Sequence, residues 1–96
     1  MRSILSEEKF IVAHSAGLHA RPAALFVKTC NSFPCDIKVQ NLTTGSIVVN
    51  AKSVLSVLIL GVDQGHEILV TADGDKEKDA LAAIKKLIES NFGEKL

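Results

Sequence analysis

His19 and Arg21 stand two residues apart in the stretch "SAGLHARPAALF", Ser15 to Phe26, directly before a proline. A neutral imidazole is a nucleophile near neutral pH, and a guanidinium fork matches the oxygens of a phosphoryl group. Pro22 suits the first turn of a helix, where its missing N–H costs nothing. That turn leaves backbone N–H groups without intrahelical partners, and together with the aligned peptide dipoles they favour an anion. A phosphoryl group on His19 would lie beside both the helix start and Arg21. The pairing suits a site that receives a phosphoryl group and gives it up, with Gly17 letting the backbone turn sharply to present His19. Spacing alone leaves open the blander reading of a loop histidine beside a solvated arginine.

Other chemistries fit these residues less well. His14 and His19 lack carboxylates at ligand spacing, so no metal site is expected. A Cys-His hydrolase would need Cys30 to meet His19, yet Cys30 falls in the apolar stripe of the predicted helix, where thiols are inert. Cys30 and Cys35, five apart with Pro34 between them, suggest neither a disulfide framework nor a zinc site and read as reduced thiols.

The elements that must position His19 follow from periodicity. Residues from about Ile4 to His14 read as a strand with Phe10 and Val12 on one face. From Arg21 to about Asn31, Ala23, Val27 and Cys30 recur at helical spacing, with Phe26 beside them. "CDIKVQN" and "SIVVNA", either side of the turn "TTG", predict an antiparallel hairpin over Cys35–Ala51. Ser53 sits where an N-cap belongs and Gly61 where a C-terminal cap belongs, around a short helix. "HEILVTA" is a further strand, with Ile68, Val70 and Ala72 on one face. The stretch from Asp73 to Gly93 closes as an amphipathic helix with Ala80, Ile84, Leu87 and Ile88 in its stripe. The order βαββαβα predicts an α+β open-faced sandwich, a four-stranded antiparallel sheet with three helices on one face.

Ninety-six residues suit a single domain spanning 1–96. Eleven basic and eleven acidic residues cancel, and with no Trp or Tyr and four Phe there is little to bind nucleic acid or an anionic membrane. No apolar run reaches signal-peptide or membrane-span length, so a soluble, cytoplasmic protein without membrane insertion is expected.

"GLHARPA", Gly17 to Ala23, followed about thirty residues later by "KSVLSVLILG", resembles the histidine-containing phosphocarrier HPr family of the bacterial sugar phosphotransferase system. The likeness runs from about Phe10 to Glu89. It implies that His19 accepts the phosphoryl group through Nδ1, that Arg21 partners it, and that Pro22 and the N–H groups of Ala20 and Arg21 complete the site. It further implies a carrier rather than an enzyme, taking the phosphoryl group from enzyme I and passing it to IIA domains of sugar permeases. No cofactor is implied in this chain, although enzyme I uses magnesium, and a monomer is the default.

Ser53 carries two expectations. As an N-cap it accepts a backbone hydrogen bond. By resemblance to HPr of Gram-positive type it is also a candidate for phosphorylation by HPr kinase/phosphorylase, which would make the chain a regulatory binding module in carbon catabolite control. The short helix is apolar nearly all round, and helical spacing assigns Val57 and Leu60 to the core, leaving Val54, Leu55 and Leu58 exposed. The family pattern makes that patch a docking surface, rimmed by Arg21, Lys28 and Lys52. Two departures stand out: Ala16 replaces a Ser or Asn usual in the family, and the Asn31–Gly45 segment is longer. Both suggest a divergent paralogue.

Overall fold

Strict alternation of apolar and polar residues is what lets one sheet face bury itself while the other meets water. The structure, a computed structural model, describes residues 5–94. Its elements are β1 (Ser6–Ile11), α1 (Ala20–Asn31), β2 (Asp36–Asn41), β3 (Val49–Asn50), α2 (Val54–Ile59), β4 (Glu67–Asp73) and α3 (Glu77–Glu89), followed by a 3₁₀ turn at Asn91–Gly93. The strands form one sheet in the order β1-β4-β2-β3, and every pairing is antiparallel. Phe10 lies opposite Ile68, Ile37 opposite Ala72 and Val39 opposite Val70, and all six are buried. The expected α+β architecture is the observed one: α1 packs against α3 and α2, and α3 against β1 and β4.

On α1 the buried stripe is Pro22, Ala23, Phe26 and Cys30, with Val27 only partly covered. Cys30 and Cys35 are free, buried thiols, and burial pushes the Cys30 thiol up to about 12, so it remains protonated in the core. On α3 the buried face is Ala80, Leu81, Ile84 and Ile88. Leu87, expected in that stripe, is only partly buried.

Two strands are shorter than periodicity predicts. The first ends at Ile11 and not His14, although Val12 stays buried; Ile4 lies outside the described residues. The third, expected over Ser46–Ala51, keeps only Val49 and Asn50. Side chains have taken the backbone groups a ladder would use. The buried Asn41 accepts from the N–H groups of Thr43 and Thr44 at 3.0 and 3.3 Å. Gln40 donates to the Ser46 carbonyl at 2.9 Å, and the Ser46 hydroxyl accepts from the Asn41 N–H at 2.9 Å. Such side-chain bonds compete with sheet pairing. Ile47 and Val48 are left exposed.

Ser53 caps α2 as its position implies, accepting from the Ser56 N–H at 3.3 Å. Replacing Ser53 by Ala is expected to lower stability by about 1 kcal/mol, read as a shift in urea midpoint without a change in slope. Val57 and Leu60 are buried, while Val54, Leu55 and Leu58 are exposed, the division that helical spacing assigns.

Candidate functional site

The site is built where the end of β1 and the start of β4, neighbours in the sheet, release their loops at the same end. Four hydrogen bonds stitch the two loops together. Val12 N–H donates to the His66 carbonyl at 3.0 Å and Gly65 N–H to the Val12 carbonyl at 2.7 Å. Leu18 N–H donates to the Val62 carbonyl at 2.9 Å, and the Gln64 side chain to the Ala13 carbonyl at 3.0 Å. Gly17 makes this approach possible: its φ is +65°, and a Cβ there would lie 2.2 Å from the Val62 carbonyl oxygen and 2.8 Å from the Asp63 Cα. Leu18 is fully buried, and His19 emerges from that anchor as the N-cap residue of α1.

The His19 side chain is 39% exposed, with Nε2 3.3 Å from Asp63 Oδ1. Its Nδ1 makes no hydrogen bond among the described residues. Its cap position is filled by backbone alone, since the ring forms no capping hydrogen bond. Ala20 has φ +49°, in the left-handed region that a non-glycine residue rarely adopts and that recurs at functional sites. Ala20 and Arg21 begin the helix, where N–H groups lack intrahelical acceptors; Pro22 is buried beneath them.

Arg21 does not point at His19. Its Nη1 donates to Glu94 Oε2 at 2.7 Å and to the Phe92 carbonyl at 3.3 Å. Glu94 has a second donor, His14. This buried imidazole accepts from the Ala16 N–H on Nδ1 at 2.9 Å, so its proton sits on Nε2 and is donated to Glu94 Oε1 at 2.9 Å. The His14 ring also stands edge-on to the buried Phe92, 5.8 Å between centroids. Residues 91–94 thus form a strap across the start of α1.

The hydrogen bond from His14, and then that from Arg21, hold the Glu94 carboxyl below its ordinary range. A depressed carboxyl stabilises the strap above the unfolded group's titration, and that stabilisation is lost as pH falls through the folded value. Acidification is therefore expected to free the strap at the bottom of the carboxylate range. Arg21 and Phe92 resonances followed by NMR should show this step, and Glu94→Gln should show the released positions already at neutral pH.

The remaining expected residues are placed unevenly. Lys28 is exposed in the last turn of α1. Lys52 is half-buried, its Nζ donating to the Phe33 carbonyl at 2.7 Å. Val54, Leu55 and Leu58 share the exposed surface of α2 with Ile59, which spacing did not single out. Asp63, Glu94 and His14 are site neighbours that sequence reasoning missed. Asp63 and Glu94 lie 44 and 73 residues from their partners His19 and Arg21, and nothing local in the chain announces those pairings. Among the described residues no cluster of His, Cys, Asp and Glu could hold a metal ion, and no helix is long and apolar enough to cross a membrane.

An exposed imidazole thus stands at a helix start, with one nitrogen held by Asp63 and the other open. The family model described as "PTS HPr component phosphorylation site" matches residues 6–90. The chain belongs to the HPr family of histidine-containing phosphocarriers. Phosphocarrier protein HPr of Chlamydia pneumoniae is 40% identical over 84 residues, 88% of this chain and 75% of that protein. The crystal structure of HPr from Thermoanaerobacter tengcongensis superposes with a TM-score of 0.89 at 44% identity, covering 95% of this chain and 99% of that one. The solution structure of Crh, the catabolite repression HPr of Bacillus subtilis, gives 0.62 at 35% identity over 86% and 95%. The multiphosphoryl transfer protein of Haemophilus influenzae is 41% identical over 85 residues, 88% of this chain, which spans only 17% of that protein's length. The family is one of phosphoryl carriers of the phosphotransferase system.

Proposed function

We propose that His19 is the phosphoryl acceptor and that the group passes from a phosphohistidine of enzyme I to His19 and on to IIA domains of sugar permeases. The observation that carries this is the open Nδ1 of an exposed ring held at the start of α1. In the step, the Nδ1 lone pair forms the N–P bond as the bond to the donor nitrogen breaks and its electron pair returns to the donor ring. Passing the group onward reverses these roles. The N–H groups of Ala20 and Arg21, above Pro22, face the charge that develops. Arg21 reaches the phosphoryl oxygens by exchanging Glu94 for them; an exposed guanidinium–carboxylate pair is weak enough to exchange. Moderate stabilisation is what a carrier needs, because a tightly held group could not leave. Ala16 contributes no side-chain group to the site.

Docking uses the exposed α2 surface of Val54, Leu55 and Leu58, with Lys28 as its basic rim and Lys52 contributing less. This reading has the chain work in the cytoplasm as a monomer and a single domain. The test is incubation with enzyme I and labelled phosphoenolpyruvate, followed by a IIA domain. An acid-labile, base-stable label that moves to the IIA domain is expected; an acid-stable label, or none, overturns the proposal.

A second reading, regulation at Ser53 by HPr kinase/phosphorylase, is supported by the similarity to Crh and by the place of Ser53 directly before Val54 and Leu55. A phosphate of about −2 charge there would put an anion at the edge of an apolar docking surface.

A further inference from the structure

We infer that Asp63 is a positioning residue that makes His19 one-sided, reserving Nε2 and steering the phosphoryl group to Nδ1. The inference rests on His19 being the acceptor. An imidazole offers two nitrogens, and a free ring in solution can be phosphorylated on either. Here Asp63 Oδ1 lies 3.3 Å from Nε2, within reach of an N–H on that nitrogen. A proton held there leaves the lone pair on Nδ1, since which nitrogen reacts is set by the hydrogen bond the other makes. The carboxylate also repels an anionic phosphoryl donor approaching from the Nε2 side. Among the described residues it is the one charged group within ion-pairing distance of the His19 ring, because Arg21 is turned to Glu94.

The surroundings of Asp63 are fixed. Its N–H donates to His66 Nδ1 at 3.1 Å, and its carbonyl accepts from the His66 N–H at 3.0 Å. The Gly17–Val62 approach and the Leu18–Val62 hydrogen bond hold this turn against the His19 loop. The Asp63 side chain is 72% exposed, so replacing it removes the contact without opening the core. In the balanced step Nδ1 gains phosphorus while Nε2 keeps its proton, leaving a cationic ring that Asp63 faces; when the group leaves, the electron pair returns to Nδ1 and the ring is neutral again.

The test uses phosphoramidate, a small donor that imposes no docking geometry of its own. The phosphorylated wild type, Asp63→Ala and Asp63→Asn are compared by ³¹P and ¹⁵N NMR, which separate the two phosphohistidine isomers. The wild type should carry the Nδ1 isomer. In Asp63→Ala the ratio of Nε2 to Nδ1 isomer should rise roughly fivefold, the upper end of the bias an exposed pair supplies. Asp63→Asn, which keeps an acceptor but loses the charge, should fall between. A general loosening of the fold would not favour one nitrogen over the other. An unchanged isomer ratio in Asp63→Ala, with His19 labelled, overturns the role of Asp63 alone. Absence of label on His19 in the wild type overturns the acceptor assignment and this inference with it.

Discussion

With His19 as the proposed acceptor, His19→Ala is expected to reduce phosphoenolpyruvate-dependent labelling by more than about a thousandfold, to background, because a covalent carrier without its nucleophile has no partial function. Neither other histidine can substitute. Both ring nitrogens of His14 are engaged, by the Ala16 N–H and by Glu94, and the ring is buried. His66 Nδ1 accepts from the Asp63 N–H and lies 3.2 Å from Asn41 Nδ2. The fold should be untouched, since His19 is a surface N-cap residue that makes no capping hydrogen bond, and unchanged thermal unfolding checks that. Label persisting in His19→Ala would place the acceptor elsewhere.

Gly17→Val should be the most damaging single change away from the nucleophile. A side chain there meets the Val62 carbonyl at 2.2 Å, a distance no Cβ tolerates, and the obstacle is backbone that cannot rotate aside. The residue must also hold φ +65°. Left-handed strain and overpacking together predict a loss of roughly 2–5 kcal/mol, or a melting point lower by about 10 °C or more for a domain of this size. Labelling of the folded fraction should also slow, because relief of the clash pushes the His19 loop away from Asp63. Gly45→Ala is the control: it shares a positive φ, +71°, but meets nothing within 4 Å, so it should cost conformational strain alone. Equal losses in the two variants would show that contact with Val62 is not what matters.

The parts of this protein legible in its sequence are those fixed by local pattern. Alternation through Ile37 and Val39 and through Ile68, Val70 and Ala72 marked strands, and helical spacing divided α2 into buried Val57 and Leu60 and exposed Val54, Leu55 and Leu58. His19 and Arg21 stood out because a proline-opened helix beside a nucleophile is a local signal. Illegible was whatever depends on distant segments meeting. β-branching in "SIVVNA" favoured a strand, but Asn41, Gln40 and Ser46 redirected the backbone bonds and left only Val49 and Asn50 in the sheet. Arg21 was expected beside a phosphoryl group, while in the structure a carboxylate from the far end of the chain occupies it. Asp63 looked like one more polar turn residue until β1 and β4 paired and brought its loop to His19.

The stitching of the two loops bears on how such a carrier is recognised. A histidine loop bonded to its neighbour through Val12, Leu18 and Gln64, and wedged at Gly17, has little freedom to change shape when it is loaded. On the proposed relay, donor and recipient would then meet nearly the same loop backbone in both states, and the added charge, with the Arg21 side chain turned from Glu94 toward it, would tell them which one has arrived. Directionality in the relay would come from electrostatic discrimination at the moment of encounter, with the shuttle itself behaving as a stiff token passed from hand to hand.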